Sequence, residues 1–388
     1  MTYILLCRPR ERRRRSRSAV GNSREADEFA SWIPVHRAQL ACAAFGVLCR
    51  TALIAWATMV IYYSNLPWAV VRIGLAAAFA AFAIWALWFS RQRSMSVLAV
   101  VLFFGVVVWW ISIRPSHDRN WRPEVAVMPR ATIDGDHVHL TGVRNFQYRS
   151  RNDFTVGYQE RDVLLSHLVA LDFYVSYFTE GPVGHTFLSF IFDNAPPLSI
   201  SIETRPEVGE GFAPVASLFK QFELIYVVGD ERDIVGVRTN HRGEPVYLYR
   251  LNTSADDARR LLLVYLARIN ELADHPEFYH LLTNSCTINI VRYANAAGRS
   301  GGFKLRHLLN GLVDGYLYDS GRIDATLPFE ELRRRSLINE AARAADGAPI
   351  FQSAFGPTPA SDLSLKLAGV SWRIKRRGNP AALCQPVH

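Results

Sequence analysis

Two stretches of this sequence carry no charge at all: residues 73–89 (IGLAAAFAAFAIWALWF) and 95–113 (MSVLAVVLFFGVVVWWISI). Each approaches the roughly 20 apolar residues that a membrane-crossing helix needs. Arg72 and Arg91 bracket the first and Arg93 and Arg114 the second, while Trp85, Trp88, Trp109 and Trp110 lie near their ends as interfacial aromatics do. The chain's 49% hydrophobic content is thus concentrated rather than spread.

A third apolar stretch, 40–63, is interrupted by Arg50. A central arginine costs about 2.5–3.5 kcal/mol on insertion scales, which a span tolerates if the side chain is buried in a bundle or snorkels. Charge bias argues that this stretch also crosses. Residues 8–17 hold seven arginines against Glu11, contributing +6 of the chain's +9, and the loop 91–94 is also basic. Both belong on the cytoplasmic side, so two crossings must separate them. The expected layout is a basic cytoplasmic arm (1–37), a region of three spans (38–113; about 40–63, 69–90 and 95–113), a connector (114–124), an external domain (125–342) and a disordered tail (343–388). Ten extended residues reach at most about 35 Å, so the connector keeps the domain near the bilayer.

The arginine run is a positive-inside anchor in this reading; no aromatic or base-reading pattern accompanies it, so no nucleic-acid partner is expected. Neither a phosphate-binding glycine loop nor a dinucleotide fingerprint is present, and no cofactor is expected. None of the five cysteines has the CxxC spacing of a thiolate zinc site. The strand pair His137 and His139 lacks a third ligand at fitting spacing, so no metal is expected. In an oxidising compartment Cys286 and Cys384 could pair.

The external part reads as α+β. ATIDGDHVHLTGV (131–143) predicts a hairpin turning at Asp134 and Gly135. HTFLSFIF (185–192) and LSISIET (198–204) predict two antiparallel strands, and ELIYVV, IVGVRT and VYLYRL (within 223–251) three more, with Asp230 to Asp233 a charged turn between strands. Residues 163–175 fit neither period cleanly. Ser254 and Asp257 form a capping box opening a helix over 254–273. Further helices are expected from Cys286 to before Gly298, over 305–318, and from Pro328.

Within HLLTNSCTINIV (280–291), Asn284 and Ser285 are good N-cap types, which puts Cys286 in a first helical turn. A helix start offers a sulfur unpaired N–H groups and a positive dipole end, and the Cys286 N–H itself would face a developing oxyanion. A thiol nucleophile needs a base. His185, opening a strand after a glycine-rich turn, can project from the strand end; His280 is closer in sequence but aims uncertainly. Spacing alone serves a packed cysteine and a packed strand histidine as well, and for isolated residues that is the commoner outcome. Glu203 and Ser201 return alongside His185 if the strands form a hairpin, and Glu203 is the expected orienter of the imidazole. Tyr279 is expected in the core.

The combination GPVGHTFLSF (181–190), LSISIETR (198–205) and FYHLLTNSCTINIVRYA (278–294) resembles the Lnb N-terminal periplasmic domain family, with VRNF (143–146), ELIYVV and LPFEELRRRS (327–336) as weaker matching stretches. The resemblance implies a domain similar to permuted NlpC-type papain-like folds, in which histidine precedes cysteine in the chain. It also implies a reactive pair made of a histidine in an "HT" strand and a cysteine in an "NCTT"-like segment, here His185 and Cys286. Ser285 stands where that motif has asparagine, and three membrane helices precede the domain, unlike the named acyltransferases. Those members move an acyl chain from a lipoprotein glyceryl group to an amine through an enzyme thioester.

The fold expected is therefore a three-helix transmembrane bundle followed by a permuted papain-like domain of antiparallel sheet plus helices. The protein is expected in the bacterial inner membrane, multi-pass, with its C-terminal domain in the periplasm. The function expected is a cysteine acyltransferase or acyl hydrolase acting on a membrane lipid or lipoprotein substrate through Cys286. A cell-wall peptidase or amidase of the same fold, or an envelope protein without enzymatic activity, stands as the alternative.

Overall fold

Uninterrupted apolar sequence satisfies its backbone internally by becoming helix, and three long helices open the chain. In the computed structural model, which describes residues 24–64, 66, 68–178, 181, 183–211, 213–298 and 310–346, they are α1 (Arg24–Tyr62), α2 (Ala69–Ile84, continued by a π-helical turn Trp85–Phe89) and α3 (Arg93–Ser112). Leu40–Tyr62, Ala69–Phe89 and Arg93–Ser112 are each long and apolar enough to cross a membrane. Helix α1 begins upstream of the expected boundary at 38, and Arg50 is exposed rather than covered by its neighbours. That leaves snorkelling as the way to accommodate its charge. The first 23 residues of the basic arm, the start of the helix expected over 305–318, Cys7, Cys384 and the tail from 347 lie outside the described residues.

The second unit is built on one sheet. Its strands are β1 (Arg130–Asp134), β2 (His137–Arg144), β5 (Tyr158–Leu164), β6 (Leu168–Tyr177), β7 (Gly184–Phe192), β8 (Leu198–Arg205), β9 (Glu223–Gly229) and β10 (Val246–Arg250). Their order is β1-β2-β9-β8-β7-β6-β10, with β5 also pairing β2; β3 (Gln147–Tyr148) and β4 (Phe154–Thr155) form a small separate ribbon. All ladders of the main sheet are antiparallel except the single β2–β9 bridge, Arg144 to Gly229.

All nine residues of β7 and all seven of β9 are buried, which requires cover on both faces of the sheet. One face packs against α5 (Ala255–Asp274) and α6 (Cys286–Ala296), joining Leu188, Phe190 and Ile200 to Leu262, Tyr265 and Ile290. The other face, with Phe187, Ile225 and Val227, is covered by α4 (Glu231–Ile234) and its neighbours. The chain ends its described part in α7 (Val313–Asp319), α8 (Phe329–Ser336) and α9 (Asn339–Ala344).

The capping box appears as expected: Ser254 accepts the Asp257 N–H at 3.1 Å. Two expectations fail together. IVGVRT is not a strand but continues α4 into a π-helical segment, Val237–His241, and Asp230 to Asp233 is no solvated turn. Glu231 and Asp233 are wholly or nearly buried at 2% and 0% exposure. The reason is electrostatic: Arg144 on β2, 4% exposed, reaches Asp233 through Nη2 at 2.7 Å and Nε at 3.0 Å. Both carboxylates are met by partners on the sheet, Glu231 by the Tyr174 hydroxyl at 2.8 Å and Asp233 by Arg144.

Candidate active site

The two strands that carry the site are adjacent and antiparallel. Phe187 pairs with Ser201, so continuing the register by two residues on each strand sets His185 against Glu203. Side chains two apart share a face, which puts Ser201 and Glu203 on the face His185 uses. The His185 ring, stacked near Phe187, places Nε2 2.7 Å from Ser201 Oγ. Ser201 Oγ donates in turn to Glu203 Oε1 at 2.8 Å, while Nε2 lies 3.9 Å from that carboxylate. The expected orienter therefore acts at one remove. Serine is the direct partner, because its hydroxyl occupies the gap that the longer carboxylate would have to cross.

Cys286 starts α6 and is fully buried. Thr287 Oγ1 stands 4.0 Å from Sγ. Burial pushes the thiol up, but the charge and hydrogen bond of His185, followed by the Thr186 backbone and hydroxyl, outweigh it and bring Cys286 down to about 6. The two threonines also bind each other, Thr186 Oγ1 to Thr287 Oγ1 at 2.8 Å, tying β7 to α6 beside the sulfur.

Neither expected cap residue caps with its side chain. Ser285 has the extended backbone of an N-cap but makes no side-chain cap bond. Asn284 gives its amide to Glu277 Oε2 and the Phe278 carbonyl and accepts from Asn289 Nδ2 at 2.9 Å, so its amide braces the preceding loop. Tyr279 lies in the core as expected, 5% exposed, with Cys286 as its neighbour. Burial, then the neighbouring sulfur, holds that phenol well above its ordinary range.

Sequence reasoning missed Arg238 altogether. Its Nη2 donates to Glu203 Oε1 at 2.8 Å and its Nη1 to Glu244 Oε2 at 3.3 Å. The residue was hidden inside IVGVRT, where an alternating strand would point it outward; the π-helical turn aims it at the sheet. Burial raises the Glu203 carboxyl, yet Arg238 first, then His185, Arg144 and Arg242, hold it well below the usual carboxylate range.

An apolar cavity of about 80 Å³ lies between the sheet and α5, α6 and α7, lined by Leu171, Phe173, Leu188, Ile290, Leu317 and Thr287 among others. Thr287 belongs both to this cavity and to the contacts of the sulfur. Among the described residues no group of three or more His, Cys, Asp or Glu side chains is placed to hold a metal ion. His139 bonds Asp162 at 2.9 Å and His137 lies 3.2 Å from the same carboxylate.

These features define a membrane-associated chain with an α+β domain. Residues 155–313 match the family model described as the Lnb N-terminal periplasmic domain, the family that the sequence resemblance names. The match and the three candidate spans together fit a membrane protein with a periplasmic domain. No curated protein and no solved structure matches the chain.

Proposed function

We propose that this is a multi-pass inner-membrane protein whose periplasmic, papain-like domain is a cysteine acyltransferase or acyl hydrolase acting on a lipid or lipoprotein. What supports the reading is the Cys286 thiol at a helix start, drawn down to about 6 against its burial by His185 and Thr186. His185 takes the thiol proton, and the thiolate attacks the carbonyl carbon of an acyl ester. The imidazolium then returns the proton to the departing alkoxide oxygen, leaving a thioester on Cys286. An amine, or water, next attacks the thioester; His185 accepts its proton and the thiolate leaves. The Cys286 N–H, at the start of α6, is the donor for the developing oxyanion.

Two features favour an acyl substrate over the peptide of a cell-wall peptidase. The cavity that Thr287 helps to line has mainly apolar side chains around it, whereas a peptide groove needs polar partners. The basic residues of the arm and of the loop 91–94 put the domain on the far side of the membrane from the cytoplasm, where a short connector keeps it close to lipid. The non-enzymatic reading draws on one fact, the 0% exposure of Cys286, which means that a substrate must displace a side chain to reach sulfur.

Mass spectrometry of the full-length protein purified from membranes tests the proposal. An acyl adduct on the peptide containing Cys286, released by hydroxylamine and lost in Cys286→Ser, is expected. Its absence from protein that still acylates or deacylates lipid overturns the thioester step.

A further inference from the structure

The hydrogen bonds behind His185 have a direction, and that direction determines which ring nitrogen keeps a lone pair to act as a base. Glu203 Oε1 receives two donors, Ser201 Oγ and Arg238 Nη2, each at 2.8 Å. A serine has one proton. Having given it to Glu203, Ser201 can only accept from the imidazole 2.7 Å away, so His185 Nε2 must carry the ring proton. A neutral imidazole has no second proton, and Nδ1 is left with its lone pair for the thiol.

We propose that Arg238 is a positioning residue that sets the tautomer of His185: by keeping Glu203 ionised it fixes the chain as His185→Ser201→Glu203, and so makes Nδ1 the base for Cys286. This rests on the Cys286–His185 reading above. With Glu203 neutral the chain reverses. The carboxylic proton goes to Ser201 Oγ, the serine proton turns to Nε2, and the ring proton moves to Nδ1, where it points at sulfur. The same side chains then form a donor where a base is required.

The surroundings make this reversal a real alternative. Glu203 has a side chain only 20% exposed, and burial favours its neutral form. The charges facing it are Arg238 and Arg242 from the helical segment, Arg144 from β2 and His185 from β7, with the Tyr279 phenol also close. Arg144 is engaged with Asp233 and Arg242 lies 3.8 Å from Glu244, so Arg238 alone among them donates to Glu203 in the described hydrogen bonds. Arg238 is itself fixed by Glu244, which also accepts from Ser176 Oγ at 2.6 Å, and by the Phe187 ring 5.5 Å below the guanidinium. Ser176 is the register partner of His185 on β6, which closes a buried loop of polar groups around the imidazole. An arginine fork suits a bridge between two carboxylates better than the single ammonium of lysine.

The experiment uses full-length protein in nanodiscs. In a Cys286→Ser background at pH 8, ¹⁵N-histidine spectra report the tautomer, with His185→Asn identifying the signal. The Nε2–H form is expected, and Arg238→Gln is expected to convert it to Nδ1–H. With Cys286 present, the pH profile of alkylation is expected to move from about 6 in the parent toward an ordinary thiol near 8.5 in Arg238→Gln. At pH 7 that is a roughly 30-fold fall in thiolate. Arg238→Lys keeps the charge and is expected to keep both readouts. An Nδ1–H ring in the parent, a switched tautomer in Arg238→Lys, or an unchanged tautomer and profile in folded Arg238→Gln overturns the proposal. If Arg238→Gln does not fold, the parent and Arg238→Lys spectra decide alone. Alkylation of the parent with an ordinary thiol profile instead removes the Cys286–His185 reading, so the two failures are told apart.

Discussion

Replacing Asp233 with alanine removes the carboxylate that fastens α4 to the sheet. The side chains of Arg144 and Asp233 are 5% and 0% exposed, and two guanidinium nitrogens reach Oδ1 at 2.7 and 3.0 Å. Asp233 Oδ2 also accepts the Phe146 N–H at 2.7 Å, while Arg144 Nη1 has one other acceptor, the Glu124 carbonyl. Alanine therefore leaves a buried cation with a single carbonyl and orphans a backbone donor. Breaking a buried pair from one side costs about 3–5 kcal/mol. For a domain of this size that corresponds to a fall of roughly 6–20 °C in midpoint at about 2–4 °C per kcal/mol. Thermal unfolding followed by tryptophan fluorescence, with the full chain in detergent, measures it. The double variant Arg144→Met with Asp233→Leu is expected to be more stable than either single variant, since no uncompensated charge remains. An Asp233→Ala midpoint within about 2 °C of the parent refutes the argument, because it means that water reaches the pair.

Two further predictions concern proton positions. Ser201→Ala leaves His185 Nε2 facing Glu203 across 3.9 Å, too far for a hydrogen bond. Losing about 1–3 kcal/mol of support for the imidazolium is expected to raise the apparent Cys286 value by about one unit or more in an alkylation profile, and an unmoved profile counts against the relay. Glu231, 2% exposed, keeps its proton up to about 8 because burial and then Asp172 raise it against Ser189, Tyr174 and Arg250. Its unfolded value is near 4.3, so across roughly pH 4–8 unfolding releases a proton and stability falls as pH rises. Glu231→Gln, neutral in both states, is expected to flatten that slope in denaturation curves, leaving the contribution of Glu223, which burial lifts to about 7 against Arg119. A slope that persists undiminished from pH 7 to 8 contradicts this account.

Some of the molecule is written locally. Two of the three long helices follow from charge-free runs and the first from an apolar run broken only by Arg50, the Ser254 cap from its own four residues, and the antiparallel pairing of β7 with β8 from the turn between two β-rich segments. The site was legible as far as two residue types with a plausible chemistry. The proposed pairing of Cys286 with His185 joins positions a hundred residues apart, and spacing cannot measure such a distance. Ser201 was visible on the right strand, but only the side-chain geometry reveals that its hydroxyl, and not the Glu203 carboxylate that the register sets opposite, meets the ring.

What the sequence by itself determined is therefore the periodic and compositional content: apolar spans, helix starts, strand pairs and the presence of a thiol and an imidazole. What the tertiary structure decided is which charges are buried and against what. IVGVRT has the period of a strand in isolation, yet it winds into a helical turn because Asp233 must meet Arg144. That choice brings Arg238 beneath Glu203. Burial energies depend on the neighbours supplied by distant segments, and a local pattern contains no information about them.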